Sequence, residues 1–215
     1  MKTRLLVHLI MLVVVIVLSA CSASQPDVKT PETTIPAFTP PAGWNKFVGE
    51  GVEVWLPNSY QGGDLEKDLD VIVGKLETLG PEYEQIIQTI EANPSLFVLW
   101  AFDTSIGDTG FLTNMNITHE EVVSAVTLDM YIDAVKQQLP SSFTITDQKK
   151  IQLGENEAIQ LEIDVNETGI SAKEAMFIIK DDNTIWVATY TTGADEFEGR
   201  LPVFEQSANT IQINP

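Results

Sequence analysis

Residues 158–165 read AIQLEIDV, and their alternation decides the fold. Ile159, Leu161, Ile163 and Val165 fall on one side of an extended chain, and Gln160, Glu162 and Asp164 on the other. Strand side chains point to opposite faces with a period of two, so this is a half-buried β-strand. The neighbouring segments repeat the theme. Upstream, Phe143 to Leu153 is an extended run that turns at Gly154-Glu155-Asn156. Downstream, Ser171 to Lys180 and Thr184 to Thr191 are joined by Asp181-Asp182-Asn183, residue types that suit a tight hairpin. Four successive strands with short turns predict an antiparallel meander.

Further from this centre, apolar spacing marks the remaining elements. Val52, Val54 and Leu56 alternate with Glu53 and Trp55, predicting a hairpin with Asn45 onward about Gly49-Glu50-Gly51. Asp64 stands where a helix cap is needed. After it Leu65, Leu69, Ile72, Leu76 and Leu79 recur at spacings of four and three, one stripe along a helix face. Gly80-Pro81 stops that helix and opens a shorter one striped by Tyr83, Ile86, Ile87 and Ile90. Leu96 to Phe102 is continuously apolar, as expected of a strand covered on both faces, and Phe111 to Ile117 predicts another strand. Leu128, Tyr131, Ile132, Val135 and Leu139 mark a third helix, closed by Pro140. Asp195 is the expected cap of a last helix, striped by Phe197, Leu201, Phe204, Ala208 and Ile211 with Pro202 inside it. The expected fold class is α+β, an antiparallel β-sheet packed by helices in an α/β/α sandwich, in one domain over residues 44–215.

The first 43 residues differ in character. Met1-Lys2-Thr3-Arg4 is positive, Leu5 to Leu18 is apolar apart from His8, and Leu18-Ser19-Ala20-Cys21 follows. A positive start, a short apolar run and small residues before a cut make a secretory signal. The run is short of the ~20 residues a membrane-spanning helix needs. Its last four residues resemble the lipobox of bacterial lipoproteins. The resemblance implies that residues 1–20 are a signal peptide, that cleavage falls between Ala20 and Cys21, and that the Cys21 thiol takes a diacylglyceryl group. Each buried CH₂ contributes about 0.8 kcal/mol, and two chains anchor a protein where one does not. Cys21 is the single cysteine, so disulfides and thiolate metal sites are excluded from the domain. Residues 21–43 are rich in Ser, Thr and Pro and read as a semi-extended tether. The expected location is the extracytoplasmic face of the cell membrane.

Charge narrows the partners. Twelve Lys and Arg against 31 Asp and Glu give a net charge of −19, and losing Lys2 and Arg4 with the leader leaves −21. Such a field repels phosphate backbones and anionic lipid heads, so nucleic acid is not an expected partner. His119 is the single histidine after the leader, in Thr118-His119-Glu120-Glu121. Thr118 with Glu121 three residues later reads as a capping box at a helix start, in preference to a metal ligand or general base. No G-x-S-x-G, G-x-G-x-x-G or G-x-x-x-x-G-K occurs, so neither a serine-nucleophile elbow nor a phosphate loop is expected. Asp181-Asp182-Asn183 lacks the rest of a twelve-residue calcium loop and reads as a turn. No catalytic residue, cofactor or metal is assigned. Trp55 and Trp186 are the candidates for an exposed aromatic groove.

The order of these elements resembles a known group. It runs from VEVWLP at 52–57 through LDMYIDAVKQQL at 128–139 and AIQLE at 158–162. FIIKDDNTIWVATYTT at 177–192 and DEFEGRLPVFEQSANTIQI at 195–213 complete it. This is similar to the PsbP-like α/β/α sandwich domains, over roughly residues 44–213. The resemblance implies a non-enzymatic binding or assembly module, here engaging another envelope protein or a small ligand. The helical pair at 64–92 departs from the group and is a place for specificity to lie. Two other readings stay open: a carrier of an apolar small molecule, and a carboxylate-based hydrolase of envelope polymers.

Overall fold

The computed structural model describes residues 41–107, 110–167 and 170–214. Leu18-Ser19-Ala20-Cys21 and the tether up to residue 40 lie outside the described residues. The chain opens with a hairpin of β1 (Trp44–Gly49) and β2 (Val52–Pro57), then β3 (Tyr60–Gly63). Helices α1 (Leu65–Leu79) and α2 (Glu84–Ala92) precede β4 (Leu99–Asp103), β5 (Asn114–Glu121) and α3 (Leu128–Gln138). The meander is β6 (Phe143–Leu153), β7 (Asn156–Glu167), β8 (Ile170–Asp181) and β9 (Thr184–Gly193). Helix α4 (Phe197–Ala208) and β10 (Gln212–Ile213) end the described chain. Pairing is antiparallel throughout, in a seven-stranded sheet ordered β3-β4-β5-β9-β8-β7-β6 and a three-stranded sheet ordered β1-β2-β10.

Three apolar clusters hold these layers together. On the front of the large sheet, Val52, Val54 and Leu56 of β2 pack with Phe177, Trp186, Tyr190 and with Phe197 and Phe204 of α4. On the back, α3 sets Tyr131, Ile132 and Val135 against Ile159, Leu161, Met176 and Ile178. The other back cluster joins Leu65, Ile72 and Leu76 of α1 and Ile86 and Ile90 of α2 to Trp100 and Phe102. Strand β4 is therefore buried residue by residue, Leu99 and Ala101 toward the front and Trp100 and Phe102 toward the back. That is why its sequence is continuously apolar. The sum is the α/β/α sandwich, with a second small sheet sharing the front layer with α4.

The small sheet docks closely. A Cβ on Gly49 would come within 2.3 Å of the Val98 carbonyl oxygen, so only glycine lets β1 approach the start of β4. Strand β10 covers only Glu53 and Val52 of β2, and side chains continue the ladder past its end. Thr210 Oγ1 accepts from the Trp55 N–H at 2.8 Å, and Ser207 Oγ donates to the Trp55 carbonyl at 2.7 Å. Backbone groups that a longer strand would pair are thus satisfied by hydroxyls.

Four expectations need correcting. Thr118 to Glu121 is not a helix start but the end of β5, paired residue for residue with β9 from Thr184 to Val187. Asp195 does not cap the last helix; a 3₁₀ turn over Ala194–Glu196 leads into α4, whose N-cap Glu196 makes no side-chain cap bond. Ile211 belongs to the connection after α4, and β3 and β10 were not anticipated. The stripes of α1, α2 and α3 and the cap of α1 follow expectation: Asp64 accepts from the Glu66 N–H at 3.0 Å.

Helix α1 holds one glycine in its interior. No atom would lie within 4 Å of a Cβ on Gly74. Gly74→Ala is expected to raise stability by about 0.5–1 kcal/mol through helix propensity alone. A urea melt reads this directly, and a loss of stability would show that Gly74 serves a contact outside the domain.

Candidate functional site

Side-chain alternation turns Met115 and Ile117 of β5 into the front core and Asn114, Asn116, Thr118 and Glu120 to the back. These four are half-buried and form no part of either apolar cluster on that face. The α1/α2 layer reaches across β3 and β4 as far as Trp100 and Phe102. The α3 layer covers β6 to β9 and meets β5 through the Tyr131 hydroxyl, which hydrogen-bonds Glu120 Oε1. Burial first, then that bond to Glu120, holds the Tyr131 hydroxyl above its ordinary pKa, so it stays a donor. Between the two helical layers runs a half-buried polar stripe of the sheet face. Its residues repeat every second position, at about 6.8 Å, for a length of roughly 20 Å.

On neighbouring β9 the polar face continues, but buried. Thr191 lies opposite Asn114 and Thr189 opposite Asn116, both threonines on the same face. One strand further, Glu174 of β8 lies opposite Thr191. Glu174 is 3% exposed. Its Oε1 has Thr191 Oγ1 at 3.4 Å, and its Oε2 has no hydrogen-bond partner. Among the described residues two other buried side-chain polar atoms share that state. Asp164 Oδ1 has Lys173 Nζ at 3.4 Å, and Trp186 Nε1 is a neutral donor. Among the described residues, Glu174 Oε2 is therefore the one buried, unpartnered carboxylate oxygen without a counter-charge. Burial pushes its carboxyl up to about 7, against a small opposing pull from the Thr191 hydroxyl.

The other buried carboxylates of the described residues are placed apart from it. Asp64 caps α1 and pairs with Lys67 at 2.6 Å. Asp103 ends β4 on the front side, 2.8 Å from Arg200 Nη1. Arg200 is a hub: its Nε also donates to Glu196 at 2.8 Å and its Nη2 to the Ser105 carbonyl at 3.4 Å. No two of these three acids face one another, so the geometry favours no carboxylate pair for hydrolysis.

The residues singled out in the sequence are not gathered. His119 is exposed on the front side of β5 and packs at a tilt of 41° against its cross-strand neighbour Trp186, ring centroids 4.7 Å apart. Trp186 is not exposed; at 5% it fills the front core beside Gly51. Trp55 is half-buried on the outward side of β2, away from that core. The expected Trp55–Trp186 groove is thus absent, because β9 is buried on both faces and Trp186 alternates with inward Ile185 rather than with solvent. Asp182 takes the positive φ of the hairpin turn, and the Lys180 ammonium caps its carbonyl, leaving that loop structural. Among the described residues no group of three or more His, Cys, Asp or Glu is placed to hold a metal, and no helix is long and apolar enough to cross a membrane.

The stripe went unread for a plain reason. Its alternation is visible in Asn114-Met115-Asn116-Ile117-Thr118, but no local signal says that helices leave the polar side uncovered. Glu174 did leave a trace: it stands on the Ala172, Met176, Ile178 face of β8, one acid on an otherwise apolar side. A second concavity, an open groove of about 520 Å³, lies at the elbow of α1 and α2 between Glu77, Glu84, Ile87 and Glu91. It falls within the helical pair at 64–92.

No protein-family model matches the chain, and no curated protein matches it significantly in sequence. Solved structures do resemble it. LpqN of Mycobacterium tuberculosis, described as involved in cell envelope biogenesis, superposes with a TM-score of 0.50 at 12% identity, over 76% of this chain and 83% of that one. Cyanobacterial PsbP (CyanoP) from Synechocystis gives a TM-score of 0.50 at 12% identity, over 86% of this chain and 99% of that one. At such identities what is shared is architecture, and the architecture of this chain is the PsbP-like sandwich of helices around an antiparallel sheet.

Proposed function

We propose that this protein is a lipid-anchored, extracytoplasmic binding module, non-enzymatic, that engages another envelope protein through the polar stripe of β5. The observation that carries the reading is the uncovered floor itself. A sheet face left bare between two helix layers is ordinarily closed by apolar side chains; here it offers Asn116 and Thr118, whose side chains make no hydrogen bond within the described residues. Unused donors and acceptors in a sheltered groove are suited to a ligand that brings their partners. The interior between the two sheets is filled by Phe177, Trp186, Tyr190 and Phe204, which favours a docking surface over an enclosed carrier cavity. LpqN, with the same architecture, is described as involved in envelope biogenesis, which agrees with that setting.

Two measurements test the parts separately. Cys21→Ser is expected to move the protein from the membrane fraction to the soluble extracytoplasmic fraction, and mass spectrometry of the wild type should find Cys21 acylated at the mature N-terminus. An unmodified thiol would remove the anchor. A photo-crosslinking residue at Asn116 is expected to capture a discrete envelope protein, whereas one at Val71, 64% exposed on the outer side of α1, is not. Equal capture at both positions, or lipid alone at Asn116, would remove the docking surface.

A further inference from the structure

Apart from the β5 stripe, we infer that the groove at the elbow of α1 and α2 docks a short basic helix of a partner protein. That helix carries two cationic side chains two turns apart with an apolar side chain between them.

The groove belongs to the outward side of the helical pair. Ile86 and Ile90 turn toward the core, which leaves Glu84, Ile87, Gln88 and Glu91 together on another side of α2. Gly80 and Pro81 form the elbow, and Glu77 stands across from α2 in the last turn of α1. The space between them, about 520 Å³, is open to solvent. Its lining is apolar at Pro81 and at Ile87, which is half-buried against the core cluster beneath.

Two sources of negative potential converge on this concavity. The first is its carboxylates. Among the described residues Glu77, Glu84 and Glu91 have no ion pair, and Gln88 Nε2, which donates to Glu84 Oε1 at 3.2 Å, is neutral. Residues 64–92 hold eight Asp and Glu against two Lys, and Lys67 is taken by Asp64. The second is the end of α1. Its last turn has no basic residue, and Gly80 gives it no capping hydrogen bond. A helix C-terminus is a partial negative charge, so Glu77 is unfavourable there until a cation arrives. A cationic ligand with an apolar neighbour answers both sources and covers Ile87; an anionic or wholly apolar one does not.

Spacing selects the form of that ligand. Glu84 and Glu91 stand at the two ends of α2, about 10.5 Å apart along its axis, with Ile87 about one turn from each. A helix presents side chains on one face at that same interval and a third between them. An extended peptide repeats on one face at about 6.8 Å and falls out of step. Laid beside α2, a partner helix sets a cation near each glutamate and an apolar side chain on Ile87.

The test uses the full chain in detergent and the fluorescent peptide acetyl-Ala-Ala-Ala-Lys-Ala-Ala-Leu-Ala-Ala-Ala-Lys-Ala-Ala-Ala-amide, followed by anisotropy. Saturable binding is expected. The double variant Glu84→Gln, Glu91→Gln changes exposed side chains, and its melting curve reports that it is folded. It should bind at least tenfold more weakly. Glu155→Gln with Glu157→Gln removes the same charge at the exposed turn between β6 and β7 and should leave affinity unchanged. Moving the second lysine two places toward the first, or replacing leucine with alanine, should each cost at least fivefold. Equal losses in the two double variants, or equal affinity for the moved lysine, would reduce the contact to general attraction by an acidic protein and overturn the inference. Equal affinity for the alanine peptide would remove the role of Ile87, and no saturable binding would remove the groove. Capture of an envelope protein at Asn116 should persist in the Glu84, Glu91 variant; its loss would overturn the groove as a surface separate from the stripe.

Discussion

Replacing Arg200 with alanine is expected to cost about 3 kcal/mol of stability, read as a lower urea midpoint. The reason lies in what is left behind. Asp103 is nearly buried at the end of β4, and the Arg200 guanidinium is its cation, holding Glu196 and the Ser105 carbonyl as well. Arg200 is the single arginine of the described residues, and its planar fork donates to acceptors on three sides, which a lysine cannot reproduce. With it gone, Asp103 keeps a charge in a low-dielectric setting, and the connection after β4 loses its clamp to α4. A partly buried pair sets the figure at the lower end of the range for broken buried ion pairs. The double variant Asp103→Asn, Arg200→Met should recover at least half of the loss, because no uncompensated charge remains. A double variant as unstable as the sum of the singles would show the two residues to be uncoupled.

Glu174 sets the second large effect, with the opposite sign. Its carboxyl titrates near 4.5 in the unfolded chain and at about 7 in the folded one. The native state therefore binds this proton more tightly. Its contribution is best below 4.5, worsens as pH rises from 4.5 through 7, and is level above that. The interval corresponds to a cost on the order of 3 kcal/mol at pH 8, borne by the ionised form in a site without a counter-charge. Glu174→Gln should match the wild type near pH 4.5 and exceed it increasingly up to pH 8, by roughly 6–12 °C in Tm. A Tm difference that stays constant across this range would mean that the site is hydrated enough to accept the charge.

Much of this molecule was legible because its strands follow one face rule for many residues. AIQLEIDV and TIWVATYTT pair in long uninterrupted registers, and the stripes of α1 and α3 match their buried faces. Failures cluster where local chemistry and tertiary pairing disagree. Thr118-His119-Glu120-Glu121 has the composition of a helix start, but eight consecutive pairs with β9 make it a strand. β3 is four residues with two glycines, too short for periodicity, and β10 is two. Nothing local to Trp186 signals the small sheet that covers its face. The candidate site was unreadable for a related reason. Polar residues on a strand face are expected wherever a sheet meets water, and only the helix layers on either side make this stripe a groove.

The small sheet has a consequence for how the protein comes to be folded. Its middle strand, near the start of the domain, is completed by Gln212 and Ile213, which pair with Glu53 and Val52 across more than 150 residues. Ser207 and Thr210 finish the same strand from the end of α4. A nascent chain therefore cannot assemble this layer until nearly all of it has been synthesised. Long-range closure of this kind is slow. Under the export proposed above, such delay is useful: the front of the molecule stays open until the far end of the chain has followed.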